Sequence, residues 1–190
     1  MPNKPVEMKI CNFLIAAMLL CSLPAGAQKY MTKTGNIKFY SDSRLEKIEA
    51  YNHHVNSAVD VATGDFVFKV PMKSFEFEKA LMQEHFNENY VESGKYPDAT
   101  FLGKVLNMRE VKLDQDGFYY VNVAGKLTIH GKTKEISEKG SFEVKQGKLV
   151  GKSRFNVLLE DFNISIPGAV LLNISKSIEV TVDVTLDKVN

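Results

Sequence analysis

This sequence has few cysteines and almost no net charge. The two cysteines, Cys11 and Cys21, lie near the amino terminus, so the rest of the chain has no thiol for a disulfide, a nucleophile or a metal. The 24 basic residues almost balance the 23 acidic ones, and no Lys/Arg-rich run or basic helix occurs. The composition therefore excludes a thiol-based site after Cys21 and argues against a nucleic-acid partner.

Common catalytic motifs are absent as well. The chain has no H-E-x-x-H, H-x-H or G-x-S-x-G sequence and no glycine-rich phosphate loop. His53 and His54 are adjacent, so in a strand they point to opposite faces and do not share a metal ion. We therefore predict no metal site, no cofactor and no enzymatic activity.

An acid–base enzyme is the alternative to this prediction. It would use His85 together with a nearby carboxylate, at the mouth of whatever cavity the fold contains. Four carboxylates lie close to His85 in the sequence, and on a short exposed helix such a group is usually a solvated face. They are Glu76, Glu78, Glu84 and Glu88.

The first 27 residues have the pattern of a secretory signal peptide. Lys4 and Lys9 give a positively charged start, residues 10–20 form an apolar run, and residues 25–27 read Ala-Gly-Ala. The apolar run is shorter than the roughly 20 residues of a membrane span. We therefore expect an exported protein, periplasmic or secreted, with no membrane span after cleavage.

The predicted cleavage site is after Ala27, which leaves residues 28–190 as one domain. Lipidation at Cys21 is the alternative, although the residue before it is bulkier than a lipoprotein signal prefers. Translation from Met1 and from Met8 both give a charged start, so both remain open.

Alternating apolar residues predict an antiparallel all-β domain. Phe66, Phe68 and Val70 share one face of a strand, residues 118–130 alternate over thirteen positions, and residues 178–186 alternate most plainly. Eight or nine such strands occur at hairpin spacing, with one short helix over residues 79–87. We expect a closed barrel rather than a sandwich, because closure removes the edges of the Val-rich last strand.

The segment at residues 84–103 has the most specific order of residue types. It begins as the end of the short helix and finishes as a strand. Pro97 disfavours helix at Tyr96, so the chain turns there. Gly94 is predicted to end the helix in a left-handed conformation.

Two runs in the sequence resemble the YceI-like family. Residues 85–101, HFNENYVESGKYPDATF, resemble its helix end and Tyr-Pro-x-Ala-Thr-Phe strand start. Residues 125–134, GKLTIHGKTK, resemble its G-x-L-T-I-x-G-V-T-K hairpin, with Lys132 where the family usually has an apolar residue. The resemblance implies an extended eight-stranded lipocalin-like barrel, with one or two short helices, that holds a long apolar ligand, typically a polyisoprenoid.

The inward-facing residues of such a barrel are the predicted lipid-binding site. They are Phe66, Phe68, Phe86, Phe101, Tyr119, Val121, Val123, Phe142, Phe155 and Val157. The same residues would serve a filled core equally well. Alternation along a strand shows which side chains point inward, but not whether the interior is a tunnel or a packed core. Gly125, Gly151 and Ser153 are small on the apolar faces and favour unfilled space.

Three hypotheses follow from these residues and from the resemblance. The preferred one is an exported protein that carries or stores an apolar lipid. The others are an enzyme that acts on a lipid or sugar at the barrel mouth, and a structural or stress-related envelope protein with a solid barrel. The oligomeric state is left open, with a homodimer as one alternative.

Overall fold

The computed structural model describes residues 28–189, and nine β-strands account for most of them. The predicted signal peptide lies outside the described residues. In chain order the strands are β1 (Lys29–Asp42), β2 (Lys47–Asp60), β3 (Asp65–Pro71), β4 (Glu76–Phe77), β5 (Asp98–Val105), β6 (Gly117–Ile129), β7 (Lys132–Lys145), β8 (Lys148–Leu158) and β9 (Ser177–Val189).

Eight of the strands close into an antiparallel barrel, as predicted. Neighbouring strands follow the order β1-β9-β8-β7-β6-β5-β3-β2, and β2 pairs back with β1 to close the ring. The short β4 adds to one end of β2 through the pairs Ala50↔Phe77 and Tyr51↔Glu76. Closure satisfies the backbone of long strands that would otherwise have exposed edges.

Helical structure is confined to short segments that lie mainly at one end of the barrel. The α-helix α1 (Ala80–His85) continues into a π-helical turn over Phe86–Tyr90. Both lie in the connection between β3 and β5, close to the predicted span of residues 79–87. Within the described part of the chain, no helix combines the length and apolarity needed to cross a membrane.

The chain leaves this helical segment at Glu92 and not at Gly94, contrary to the prediction. Glu92 has a φ of 45°, whereas Gly94 does not have a positive φ. The backbone N–H groups of Lys95 and Tyr96 donate to the Glu92 carbonyl at 2.8 and 2.9 Å, which forms a tight turn before Pro97. A carboxylate residue therefore adopts the left-handed conformation that the sequence suggested for glycine.

The end of the barrel away from α1 is filled by apolar side chains. Val144, Leu149 and Leu186 lie side by side on β7, β8 and β9, because Val144 pairs with Leu149 and Leu149 with Leu186. Their exposed fractions are 2%, 0% and 0%. Other buried residues complete this layer, here called the packed end. They are Tyr30, Val59, Val105, Met108 and Val111.

Candidate functional site

The other end of the barrel encloses a cavity of about 380 Å³. Every barrel strand contributes to its wall, and α1 and the β8–β9 connection contribute at its mouth. The wall is mostly apolar and includes many phenylalanines. Its principal apolar residues are Ile37, Phe39, Ile48, Phe66, Phe68, Val70, Met72, Phe75, Phe77, Met82, Phe86, Phe101, Val121, Val123, Leu127, Ile129, Ile136, Phe142, Phe155, Val157, Val180, Val182 and Val184.

The floor of the cavity is set by one row of residues across β7, β8 and β9. Phe142, Gly151 and Val184 are in register and line the cavity, whereas the next row toward the packed end does not. Gly151 has no side chain between its two neighbours. A Cβ there would lie 3.0 Å from the Phe142 ring and 3.2 Å from the Val184 side chain.

Four phenylalanines join the mouth of the cavity to the barrel wall. The Phe86 ring from the π-helical turn lies 5.5 Å from Phe39 on β1, 5.5 Å from Phe75 and 5.1 Å from Phe77, measured between ring centroids. Aromatic pairs at these distances attract one another beyond simple burial. The cluster therefore fixes the helical segment over the barrel through apolar contacts.

The Glu46 carboxylate connects three segments around the mouth. Lys79, which immediately precedes α1, donates to Oε1 at 2.9 Å, and the Asn173 amide from the β8–β9 connection donates to Oε2 at 3.4 Å. These two hydrogen bonds, from Lys79 first and Asn173 second, hold the pKa of the Glu46 carboxyl below its ordinary value. Backbone contacts reinforce the link, since the Leu45 N–H donates to the Leu172 carbonyl at 3.0 Å.

A second polar link joins Glu92 to the hairpin between β6 and β7. His130 Nε2 lies 2.6 Å from Glu92 Oε2, and His130 Nδ1 lies 3.1 Å from the Phe162 carbonyl oxygen. Both partners are acceptors, so the two hydrogen bonds form together when both ring nitrogens carry protons. The bond from His130 lowers the pKa of the Glu92 carboxyl. Tyr96 packs edge-on against the His130 ring, with 4.7 Å between the ring centroids. The two segments with family resemblance, residues 85–101 and 125–134, therefore meet here.

The predicted lining residues border the cavity, with the exception of Tyr119. Tyr119 lies toward the packed end, where its hydroxyl donates to the Lys112 carbonyl at 3.4 Å. Its placement was wrong because parity gives the face of a strand but not the depth at which the cavity ends. Whether the bordering residues contact a lipid stays a prediction.

The small residues on the apolar faces have two different roles. Gly151 and Ser153 border the cavity, as their size suggested. Gly125 does not provide empty space, because a Cβ there would lie 2.4 Å from the Gly103 Cα and 2.9 Å from the Phe101 ring. Glycine is required at Gly125 because two strands and an aromatic ring approach closely.

The acid–base alternative gains little from the geometry. His85 is exposed at the mouth of the cavity, and no side-chain hydrogen bond to it is found among residues 28–189. Glu84 and Glu88 are exposed, as expected of a solvated helix face. In the part of the chain that the structure describes, no three His, Cys, Asp or Glu side chains are grouped so as to hold a metal ion.

Several lining residues were not assigned to the site from the sequence. Phe39, Val180 and Val182 alternate correctly within their strands, so parity places them on the inner face. Phe75 and Phe77 follow Pro71 in an irregular connection, where no period indicates which way a side chain points. Only the folded connection brings these two rings to the mouth.

Solved structures with similar folds include three bacterial proteins. A polyisoprenoid-binding domain from Saccharophagus degradans, implicated in plant cell wall breakdown, aligns with a TM-score of 0.73 at 13% identity, over 85% of this chain and 98% of that one. BcnA from Burkholderia cenocepacia aligns with a TM-score of 0.65 at 15% identity, over 80% and 95% of the two chains. A YceI protein from Campylobacter jejuni aligns with a TM-score of 0.51 at 20% identity, over 70% of this chain and 78% of that one.

These identities establish a shared fold and nothing about the ligand of this chain. A comparison with curated proteins finds no match. The model of the YceI-like domain matches residues 30–186, which is most of the chain and includes both resembling segments. The resemblance seen in the sequence is therefore confirmed: this chain belongs to the YceI-like domain family.

Proposed function

We propose that the protein binds a long apolar lipid, of the polyisoprenoid class, within the barrel cavity, and that it carries or stores this lipid outside the cytoplasm. The observation that carries the proposal is the cavity of about 380 Å³ with its apolar wall and filled floor. Small-molecule sites commonly occupy about 300–1,000 Å³ and have mainly apolar walls.

Burial of the lipid chain supplies the driving force. Each methylene moved from water into the cavity contributes about 0.8 kcal/mol, so about ten of them contribute roughly 8 kcal/mol before the cost of association. A narrow barrel favours a slender chain over a compact ligand, and the floor at Gly151 limits how far the chain extends. No catalytic group is needed for this role.

Family membership and one structural neighbour support the choice of lipid. The Saccharophagus degradans domain is described as polyisoprenoid-binding, and it shares the fold of this chain. Export rests on the signal-peptide pattern of residues 1–27, which supports placement in the periplasm or outside the cell.

Mass spectrometry of an organic extract tests this proposal directly. We expect the protein, purified after export, to yield an isoprenoid lipid in near-stoichiometric amount. We also expect its intact mass to match a chain that begins at Gln28. An empty extract, together with no uptake of added isoprenoid from phosphatidylcholine vesicles, would refute lipid binding. A retained Cys21 with added lipid mass would refute cleavage after Ala27 and leave the cavity proposal in place.

A further inference from the structure

The hydrogen-bonded ladder between β7 and β8 is much shorter than either strand. The two strands pair only between Gly140–Lys145 and Lys148–Ser153. Beyond Gly140, β7 continues over Lys132–Lys139 and pairs with β6 alone, and beyond Ser153, β8 continues over Arg154–Leu158 and pairs with β9 alone. The barrel wall therefore has a seam in which two long strands run on without bonding to each other.

Another short ladder in the barrel, between β2 and β3, has a different cause. It covers only Asn56–Val59 and Phe66–Lys69, because β3 itself ends at Pro71. Farther along β2, Ala50 and Tyr51 pair with β4 instead. At the β7–β8 seam the described residues include no third strand that takes the place of the missing partner.

Surface charges hold β8 to β9 and not to β7. Three cations that project outward from β8 form ion pairs with acidic residues of β9. The pairs are Lys148–Asp187 at 2.9 Å, Lys152–Asp183 at 3.3 Å and Arg154–Glu179 at 3.7 Å. Among the described residues, no ion pair crosses the seam between Glu135–Lys139 and Arg154–Leu158.

The sequence of the free margin of β7 resists strand pairing. Residues 132–139 read KTKEISEK, in which charged side chains occupy most positions. Charged residues, lysine above all, are a common means of keeping an unpaired strand edge from joining another strand. This margin is therefore suited to remain open toward solvent.

Both margins of the seam border the cavity. Ile136 and Glu138 from β7, and Phe155 and Val157 from β8, contribute to its wall. Glu138 alternates with Ile136 and Gly140, so its carboxylate is on the inner face, opposite Val123. A carboxylate in an apolar cavity is costly unless water or a partner reaches it. Glu138 is only partly buried, so solvent reaches this part of the wall.

The seam is bounded by contacts at both ends. At one end the Ser153 hydroxyl donates to the Lys139 carbonyl at 2.7 Å, and at the other Lys134 pairs with Asp161 at 2.8 Å. The residues between these contacts, 135–138, span about 13 Å at about 3.3 Å per residue. This unpaired stretch is long enough for a slender chain to lie along it.

We propose that the β7–β8 seam is a side portal, through which a slender isoprenoid chain passes into and out of the cavity. This inference rests on the proposed lipid-binding function. The mouth under α1 is the alternative route, and it is bridged by the Phe86 aromatic cluster and by the hydrogen bonds of Glu46. The seam lacks such bridges between its two ends.

Cross-linking of introduced cysteine pairs distinguishes the two routes. The background is the full chain with Cys11→Ser and Cys21→Ser, so that each pair supplies the only thiols. Ser137→Cys with Asn156→Cys spans the seam, since these two positions would face each other if the ladder continued from Gly140↔Ser153. Leu45→Cys with Leu172→Cys spans the mouth, where the two backbones are hydrogen-bonded.

Val150→Cys with Thr185→Cys is the matched control, because these residues already pair across β8 and β9. Each pair is joined by a short bis-maleimide with a cleavable disulfide, and each protein is its own reference after reduction. All-trans-retinol, a fluorescent isoprenoid, is the probe, and its release is followed by transfer to phosphatidylcholine vesicles.

Bridging the seam should slow both uptake and release of retinol by at least about tenfold. The dissociation constant should change by less than about twofold, because the cross-link affects the free energies of the free and the lipid-bound protein equally. The mouth and control cross-links should leave the rates unchanged, and reduction should restore them. Unchanged rates with a bridged seam, or an equal slowing with a bridged mouth, would overturn the portal.

Failure of the function itself would give a different result. If the reduced proteins bind no retinol and no lipid is extracted from them, the binding proposal is lost and the portal is lost with it. If they bind retinol normally and only the kinetic prediction fails, the cavity remains a lipid site that is filled by another route.

Discussion

The packed end and the hollow end of the barrel are formed by the same strands but differ in how inward side chains are buried. On β9, Val184 at the cavity floor and Leu186 at the packed end are 2% and 0% exposed and alternate with exposed Thr185 and Asp187. Earlier in the same strand, every residue from Ser177 to Asp183 is only partly buried, although the alternation of residue types is just as regular. The inward residues there face a cavity.

The difference in burial indicates that the two ends of the barrel contribute differently to stability and to binding. Apolar side chains at the packed end contact one another closely, so each contributes both burial and packing. Side chains such as Val180 and Phe155 at the hollow end pack against the core but also border the cavity, so they are only partly buried. The packed end should therefore determine the stability of the barrel, and the hollow end should determine what it binds.

The largest expected contrast comes from placing a carboxylate at each end. Val144→Asp buries a charge without a partner in a site that is 2% exposed, so we expect a loss of about 3–5 kcal/mol or no folded protein. Val123→Asp faces the cavity and should retain the fold but lose the lipid. Far-UV circular dichroism and lipid extraction measure the two outcomes.

Asn122→Asp is the matched control for Val123→Asp, since it adds a carboxylate on the outer face of the same strand. It should change neither the fold nor the lipid content. If Val123→Asp unfolds the protein as completely as Val144→Asp, and no lipid is found in the wild type, then the barrel is filled throughout and the carrier proposal should be abandoned.

Truncation of apolar side chains should give a smaller contrast with the same sign. Leu186→Ala removes a fully buried side chain from the packed end and should cost about 2–5 kcal/mol. Val180→Ala on the same strand should cost less than about 1 kcal/mol, because the removed methyl groups border empty space. Urea unfolding of the lipid-free proteins measures both. Equal losses would contradict the division into two ends.

The sequence predicted the barrel well because strand alternation is a local signal. β6 was placed within one residue at each end, and β9 within one residue at its start and three at its end, since their inner and outer faces differ in residue type. β3 ends at Pro71, because proline has no N–H for the ladder. β4 was not found, since its two residues are set by pairing with β2 and not by any period.

The site was less predictable, because its boundaries depend on tertiary structure. Parity placed Phe66 and Tyr119 on the inner face alike, yet only Phe66 borders the cavity. The turn at Glu92 was missed because its conformation is supported by His130, which is distant in the sequence. The seam between β7 and β8 has no signal except the charged run in β7, which is also what an ordinary surface strand shows.

Raising the floor of the cavity should sharpen the boundary between the two ends. Gly151→Leu places a side chain between Phe142 and Val184, so the bound lipid should be shorter than in the wild type. Overpacking at this row should cost about 1–3 kcal/mol. Gly151→Ala is the control, since a single methyl group needs only small shifts of its neighbours. Mass spectra of the extracted lipids decide the matter, and an unchanged chain length would place the floor elsewhere.

The smallest expected effect concerns the polar link beside the hollow end. His130 lowers the pKa of the Glu92 carboxyl, so the ionised form is favoured in the folded state. A carboxyl with a depressed pKa contributes stability above its unfolded pKa of about 4.3, and this contribution is lost as the pH falls through the lower, folded value. The wild type should therefore lose more stability than Glu92→Gln between about pH 6 and pH 3.

Glu92→Gln keeps the shape of the side chain and an acceptor for the imidazole, so its main change is the loss of charge. Because the carboxylate is well exposed, the difference should be small, and it should decrease as salt is added. Urea midpoints at the two pH values, in low and high salt, measure it, with Glu88→Gln as the exposed control on the same segment. Parallel pH profiles for the wild type and Glu92→Gln would mean that the turn at Glu92 is fixed by its backbone and by the Tyr96 contact, and that the hollow end does not depend on the charge of this link.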